Sequence, residues 1–207
     1  MALYVIVGII AYCLGSISFS VIFTKKLAGF DVRTKGSKNA GSTNVLRTAG
    51  TKIAALTLVC DILKGVVAVL IAVLLGNLFH VADRALLVQI AGILVILGHT
   101  FPIFFQFKGG KGVATAIGVL LVINWQIALI CMVFAIVLIL LTKTVSIGSI
   151  ASSILFPVLT LFITNHYIVL GNYIFFAILV ALIIVYNHRS NIQRILKGEE
   201  NKLKPKK

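Results

Sequence analysis

VATAIGVLLVINWQIALICMVFAIVLILL, Val113 to Leu141, is the stretch whose reading decides how often this chain crosses a membrane. It reads as one long apolar helix or as two pieces broken at Asn124-Trp125-Gln126. Charge parity separates the two readings. With the break the chain has seven spans, and the loops 24–52, 106–112, 142–145 and 188–207 share one side. These loops carry seven, two, one and seven Lys/Arg, which is 17 of the 19. Only Arg84 then faces the other side, and Lys64 lies inside a span. Without the break, Lys143 stays with Arg84 and the basic tail crosses over to join them. Basic loops are retained in the cytoplasm, so the broken reading is expected, with the N-terminus outside and the C-terminus inside. Residues 113–123 then form a helix of only ~17 Å. A half-helix of that kind, opened by a glycine turn, can aim its N-terminus at an anion.

Composition sets the frame for that reading. The chain has 207 residues, 60% of them hydrophobic, and a mean hydropathy of +1.12. Soluble domains are ~45–50% apolar. The expected fold class is an all-α polytopic membrane protein of about seven transmembrane helices, one of them short, with cytoplasmic motif loops. Residues 1–207 are read as a single integral membrane domain. Net charge is +14, with only Asp31, Asp61, Asp83, Glu199 and Glu200 acidic. Because the positive charge sits between spans, membrane orientation and anionic headgroups explain it, and nucleic acid is not expected as a partner. Cys13, Cys60 and Cys131 lie in apolar runs without a C-x-x-C and read as buried small hydrophobes. No basic residue precedes the first apolar run, so it is read as a retained span rather than a cleaved signal.

The spans follow in order. Ala2 to about Phe23 is the first, and Gly15-Ser16-Ile17-Ser18 near its end allows close helix packing. Lys25 to Lys52 is a long polar connection. Ile53 to Leu75 is the second span, Gly76 to Arg84 a turn, and Ala85 to about Phe105 the third. After the two pieces of 113–141, Val145 to about Ile163 is the sixth span, opening on the small-residue face Ser146-Ile147-Gly148-Ser149-Ile150-Ala151-Ser152-Ser153. Gly171 to Tyr186 is the last span, and Asn187 to Lys207 a polar, partly helical tail.

Three polar clusters are expected on the cytoplasmic side. The first runs from Lys35 to Arg47 and holds Ser37, Asn39, Ser42, Thr43 and Asn44, over about one strand or two turns. The second is Gly98-His99-Thr100-Phe101-Pro102 through Phe107-Lys108-Gly109-Gly110-Lys111-Gly112. Glycines let backbone N–H groups approach an anion, the following helix adds partial positive charge, and Lys108 and Lys111 add full charges. It is not a nucleotide P-loop: Phe105 stands where the first Gly belongs, and Gly112 follows the Lys. The third cluster is Tyr186-Asn187-His188-Arg189-Ser190-Asn191. Arg47 suits a bidentate phosphate contact, and a surface His can exchange a proton near neutral pH.

Other polar residues have plainer readings. Asp61 and Lys64, one turn apart in the second span, read as a structural ion pair near the cytoplasmic entrance, with a site role the alternative. His99 reads as helix-capping or packing, with catalysis the alternative, and His80 and His166 as outer interfacial residues. Phe101, Phe104, Phe105 and Phe107 read as an interfacial belt. Several chemistries are disfavoured. His-x-x-x-x-Asp is absent, and a Ser-His-Asp triad would have only Asp31 on the right side. No cluster suits zinc, and no acidic pair suits magnesium. No metal or cofactor is expected.

Gly36-Ser37-Lys38-Asn39-Ala40-Gly41-Ser42-Thr43-Asn44 with Arg47, the 98–112 stretch, and His188-Arg189-Ser190-Asn191-Ile192 with Gly198-Glu199-Glu200 resemble three ordered motifs of one family. Asp61-Ile62-Leu63-Lys64-Gly65 and Ser146-Ile147-Gly148-Ser149 also match. The sequence resembles the bacterial membrane glycerol-3-phosphate acyltransferases that use acyl phosphate. Lys38, Ala40 and Ser42 depart from the commoner residues of the first motif. The resemblance implies a cell-membrane enzyme of phospholipid biosynthesis, transferring a fatty acyl group from acyl phosphate to the 1-hydroxyl of glycerol 3-phosphate. It implies Ser37, His188 and Asn191 as catalytic. It implies Arg47, Asn39, Asn44, Lys108, Gly109, Gly110, Lys111, Gly112 and Ser146 as substrate-binding, and Glu200 as structural. Partners implied are the two substrates, the bilayer and a soluble enzyme that produces acyl phosphate.

The chemistry is compatible. An acyl phosphate is a mixed anhydride with a good leaving group, so the enzyme must bring a lipid-soluble chain to a charged alcohol, neutralise phosphates and stabilise an oxyanion. A transporter or channel for a small organic phosphate is the rival reading, and a non-catalytic lipid-binding scaffold a third. The apolar middles of the spans disfavour a transport path.

Overall fold

The structure, a computed structural model, describes residues 1–163 and 170–203. Among these residues every regular element is helical. The chain divides into two compact units, 1–123 and 124–207.

The first unit holds α1 (Ala2–Gly15), α2 (Phe19–Ala28), α3 (Ser42–Ala49), α4 (Thr51–Leu78), α5 (Arg84–Thr100) and α6 (Val113–Ile123). The first apolar run extends beyond Phe23 and is interrupted at Ser16–Ser18, where the small residues seen in the sequence lie. There α1 crosses α5 closely: a Cβ on Gly98 would collide with the Tyr12 carbonyl oxygen, and one on Gly15 with that of Val95. The interruption leaves the Ile17 carbonyl available to a side chain, and Lys64 Nζ donates to it at 2.9 Å. α6 meets α4 in the same manner, Gly118 against Ile62 and Gly65 against Thr115, backbone on backbone.

The 24–52 connection is more structured than a polar loop. α2 runs to Ala28, Val32–Thr34 forms a 3-10 turn, and α3 packs on α4. Val21, Val32, Ala40, Val45 and Ala54 make a small buried core here, with Phe105 packed against it. Phe105 therefore leaves the proposed aromatic belt, while Phe101, Phe104 and Phe107 are exposed.

The second unit holds α7 (Trp125–Thr142), α8 (Val145–Thr160), α9 (Leu170–Asn187) and α10 (Arg189–Leu196). The break expected at Asn124 lies between α6 and α7. Asn124 caps α7, its side-chain oxygen accepting from the Ile127 N–H at 3.1 Å. α8 lays its small-residue face on α7, with Gly148 against the Ala135 carbonyl. α10 bends away from α9 by 61°. Val133, Ile136, Leu140 and Leu141 of α7 are exposed, as lipid-facing positions are.

Four segments are long and apolar enough to cross a membrane: Ala2–Ala28, Thr51–Leu78, Arg84–Phe105 and Trp125–Thr142. The bent α9–α10 pair makes a fifth, and α6 and α8 are shorter apolar helices. Cys131 is buried as expected, whereas Cys13 and Cys60 are only half-buried. His80 lies exposed in the turn after α4, and the reading of His166 falls outside the described residues.

Candidate active-site loops

In the first unit the 35–47 cluster is organised by one side chain. Asn44 is 2% exposed. Its Oδ1 accepts from the Ser37 N–H at 2.9 Å, and its Nδ2 lies 3.0–3.1 Å from the carbonyls of Val32, Lys35 and Asn39. The amide is thus fully engaged within the loop, and Ser37 is left exposed on its outer side. Gly36 takes a left-handed φ of 59°, where a side chain would strike Asn44 Oδ1.

That loop is fixed to the glycine turn. The Ala40 N–H donates to the Gly109 carbonyl at 3.3 Å, and Asn39 Nδ2 reaches the same oxygen at 3.5 Å. Ser20 Oγ of α2 donates to the Ala40 carbonyl at 2.8 Å from the other side. Arg33 adds a second strap. Its Nε and Nη2 donate to Asp31 at 3.0 and 2.8 Å, and its Nη1 to the Phe105 carbonyl at 2.7 Å. The hydrogen bond from Arg33, opposed by partial burial, holds the Asp31 carboxyl down at about 2. Sequence reasoning counted Arg33 only as loop charge; a carboxylate two residues earlier was the signal available for a local pair.

The turn itself is folded back on the end of α5. The Gly109 N–H donates to the Thr100 carbonyl and the Gly110 N–H to that of His99, both at 3.1 Å. Those two N–H groups therefore close the turn. α6 begins at Val113, and its first intrahelical bond is donated by Ala116 to Gly112 at 2.8 Å. Its opening N–H groups thus precede the helical ladder. Lys108 is exposed, Lys111 half-buried and Gly112 left-handed at φ 90°.

The Asp61–Lys64 pair expected from spacing is present at 2.9 Å, with both side chains 3% exposed. It has a third member, since His99 Nδ1 lies 3.5 Å from the same Asp61 oxygen. Spacing within one helix could not reveal a partner on another.

In the second unit the tail is anchored by Glu200. Its Oε1 accepts from Asn191 Nδ2 at 2.7 Å and from Ser146 Oγ at 3.0 Å, and its Oε2 from Arg194 Nε at 2.7 Å. Burial pushes this carboxyl up, but the three donors and the Arg194 charge outweigh it and hold it below the usual carboxylate range. The Leu203 N–H closes the tail onto the Lys143 carbonyl at 2.7 Å. His188, 3% exposed, directs Nδ1 at the Ile184 carbonyl at 2.8 Å. A carbonyl can only accept, so Nδ1 carries the proton of the neutral ring and Nε2 the lone pair. The Asn191 N–H donates to the His188 carbonyl at 2.8 Å, which sets both at the α9–α10 bend.

Fold and loops together define a class: a polytopic, all-helical integral membrane protein that gathers its hydroxyl, amide and cationic groups at helix ends and connections. A family model described as glycerol-3-phosphate acyltransferase matches residues 5–198. A glycerol-3-phosphate acyltransferase of Clostridioides difficile is 43% identical over 99% of this chain and 97% of its own. That of Halalkalibacterium halodurans is 44% identical over 95% and 94%. A crystal structure of PlsY (YgiH), an integral membrane glycerol 3-phosphate acyltransferase in its glycerol 3-phosphate form, matches with a TM-score of 0.86. It shares 37% identity, over 97% of this chain and 96% of that one. The lysophosphatidic acid form of PlsY matches with a TM-score of 0.84. The chain belongs to the glycerol-3-phosphate acyltransferase family and is an integral membrane acyltransferase.

Proposed function

We propose that this enzyme transfers a fatty acyl group from acyl phosphate to the 1-hydroxyl of glycerol 3-phosphate, giving lysophosphatidic acid and phosphate. The hydroxyl oxygen attacks the acyl carbonyl and a new ester C–O bond forms. The anhydride C–O bond breaks, and its electron pair leaves with phosphate. The hydroxyl proton passes to His188 Nε2 or to a substrate phosphate oxygen. Arg47, Lys108 and Lys111 are assigned the phosphates, with Gly112 and the opening of α6 supplying N–H donors beyond the Gly109–Gly110 closure. Ser37 donates to the acyl phosphate, and Asn39, Asn44 and Ser146 hold the surrounding loops. Asn191 sits beside His188, and Glu200 secures both through the tail. The observation that carries this reading is the bonding of the Asn39–Ala40 loop to Gly109, which makes one polar surface of two clusters distant in sequence.

The topology proposed with it has about seven spans in one membrane domain, N-terminus outside and C-terminus cytoplasmic, where a soluble acyl-phosphate-producing enzyme could deliver the donor. The test uses purified protein, labelled glycerol 3-phosphate and acyl phosphate, with acyl-CoA as control donor. Labelled lysophosphatidic acid from acyl phosphate supports the proposal. Product from acyl-CoA alone overturns the donor. Uptake into liposomes without product overturns the reaction in favour of transport.

A further inference from the structure

We propose that Lys64, Asp61 and His99 form a buried positioning triad beneath the glycine turn, and that His99 sets how tightly the turn engages the phosphate-bearing acceptor. The inference rests on the proposed function, and within it on the 109–112 turn as the glycerol 3-phosphate site.

The three side chains are 3%, 3% and 7% exposed. Burying an ion pair in an apolar bundle costs several kcal/mol, and well-packed apolar residues would serve stability as well or better. Helix packing therefore does not explain the triad. Its geometry points elsewhere. Lys64 Nζ is fixed between Asp61 Oδ1 and the Ile17 carbonyl, both at 2.9 Å. The carboxylate so placed faces His99 Nδ1 at 3.5 Å. The nearby anion favours the proton on Nδ1, which leaves Nε2 as the acceptor end of the ring.

That end lies under Gly110. A Cβ on Gly110 would collide with His99 Nε2, and would lie 2.8 Å from Cε1 and 3.1 Å from Cδ2. The backbone of His99 holds the same residue, its carbonyl accepting from the Gly110 N–H at 3.1 Å. The Thr100 carbonyl holds Gly109 likewise, and a Cβ on Gly109 would collide with the His99 carbonyl oxygen. One residue therefore supports the turn by ring and by backbone, and Asp61 fixes the ring. Lys108 and Lys111 flank that support on either side. A shift of the turn by a fraction of an ångström would misplace them relative to an anion, while leaving the reacting carbonyl and its leaving group untouched. His99 is accordingly a positioning residue rather than a proton carrier.

Full-length enzyme in detergent or nanodiscs tests this through KM and kcat. His99→Ala should raise the KM for glycerol 3-phosphate about tenfold, the loss of one buried polar support, while kcat and the KM for acyl phosphate change less than about threefold. His99→Gln, which can return a polar atom near the Nε2 position, should recover most of the loss. Asp61→Asn with Lys64→Met removes the pair without leaving a lone buried charge, and should show the same KM-selective defect. Gly110→Ala completes a cycle: it should raise KM strongly beside His99 and far less in the His99→Ala background, because the ring is what a methyl would strike. This coupling keeps the test open should any single variant fold poorly. A folded His99→Ala enzyme with wild-type KM overturns the proposal, as does a fall in kcat at unchanged KM or an additive cycle. Lys111→Ala checks the underlying assignment separately. If it leaves the KM for glycerol 3-phosphate unchanged, the turn is not the acceptor site. If it raises that KM while the His99 variants do not, the triad alone is wrong.

Discussion

Two amide and carboxylate side chains hold the loops of this enzyme in shape, and each gives a sharp prediction. Asn44 satisfies one N–H and lies against three carbonyls while itself buried. Asn44→Ala leaves those groups without their partner, at a cost of about 1–3 kcal/mol. Asn44→Asp keeps the acceptor for Ser37 but replaces the donor by an anion facing three carbonyl oxygens, so it should be worse than Ala. Limited proteolysis of the 33–47 segment and acyltransfer rates should both rank wild type, Ala, Asp; an Asp variant equal to wild type would refute the hub. Glu200 makes the second case. Its folded pKa lies below the ordinary value, so its contribution is fully present above the unfolded pKa of about 4.3 and is lost as pH falls through the folded value. Glu200→Gln should loosen the tail at neutral pH as acid loosens it in wild type, read as faster trypsin cleavage at Arg194 and Lys197. Cleavage of the Gln variant that stayed slow at pH 7 would mean that shape, not charge, holds the tail.

At the scale of elements, glycines decide which helices can touch. Gly118 sits on the Ile62 carbonyl, one residue from Asp61, so α6 fixes the stretch of α4 that bears the buried pair. Gly118→Ala already meets backbone, and Gly118→Leu must push α6 away, at about 1–3 kcal/mol or more. Thermal unfolding in detergent should fall in the order wild type, Ala, Leu, while Ile136→Ala on the exposed face of α7 should matter little. A Gly118→Leu enzyme as stable as wild type would show that the α4–α6 contact is slack. The sequence made some of these elements legible. The break at Asn124 followed from charge parity, and the helix does break there, with Asn124 as the cap of α7. The pair Asp61–Lys64 followed from i, i+3 spacing on one helix. Three features did not follow. α3 has only eight residues and buries a polar Asn44 beside Val45, so no apolar stripe announced it. In the sequence Lys25 and Lys26 put the end of the first run near Phe23, whereas helix continues to Ala28. His99 meets Asp61 across two helices, and that register depends on backbone approaches invisible in the pattern of apolar residues.

For the molecule as a whole, charge arithmetic makes a definite claim about which way it sits in the bilayer. Seventeen of the 19 Lys/Arg fall in the stretches 24–52, 106–112, 142–145 and 188–207, and only Arg84 is assigned to the opposite face. Each elementary charge carried against the membrane potential costs about 2.3 kcal/mol per 100 mV, besides losing its attraction to anionic lipid. An inverted orientation would set nearly every basic residue against both. In the proposed topology the break at Asn124, between α6 and α7, is what makes the number of crossings odd. Cysteine labelling can decide it once Cys13, Cys60 and Cys131 are replaced. His80→Cys, in the exposed turn after α4, should react with a membrane-impermeant maleimide in intact cells. Lys202→Cys, exposed on the tail, should react only after the membrane is opened. If Lys202→Cys were labelled in intact cells, the tail that Glu200 ties to Asn191, and with it His188, would lie outside. Neither an acyl donor made in the cytoplasm nor the proposed role of His188 could survive that result.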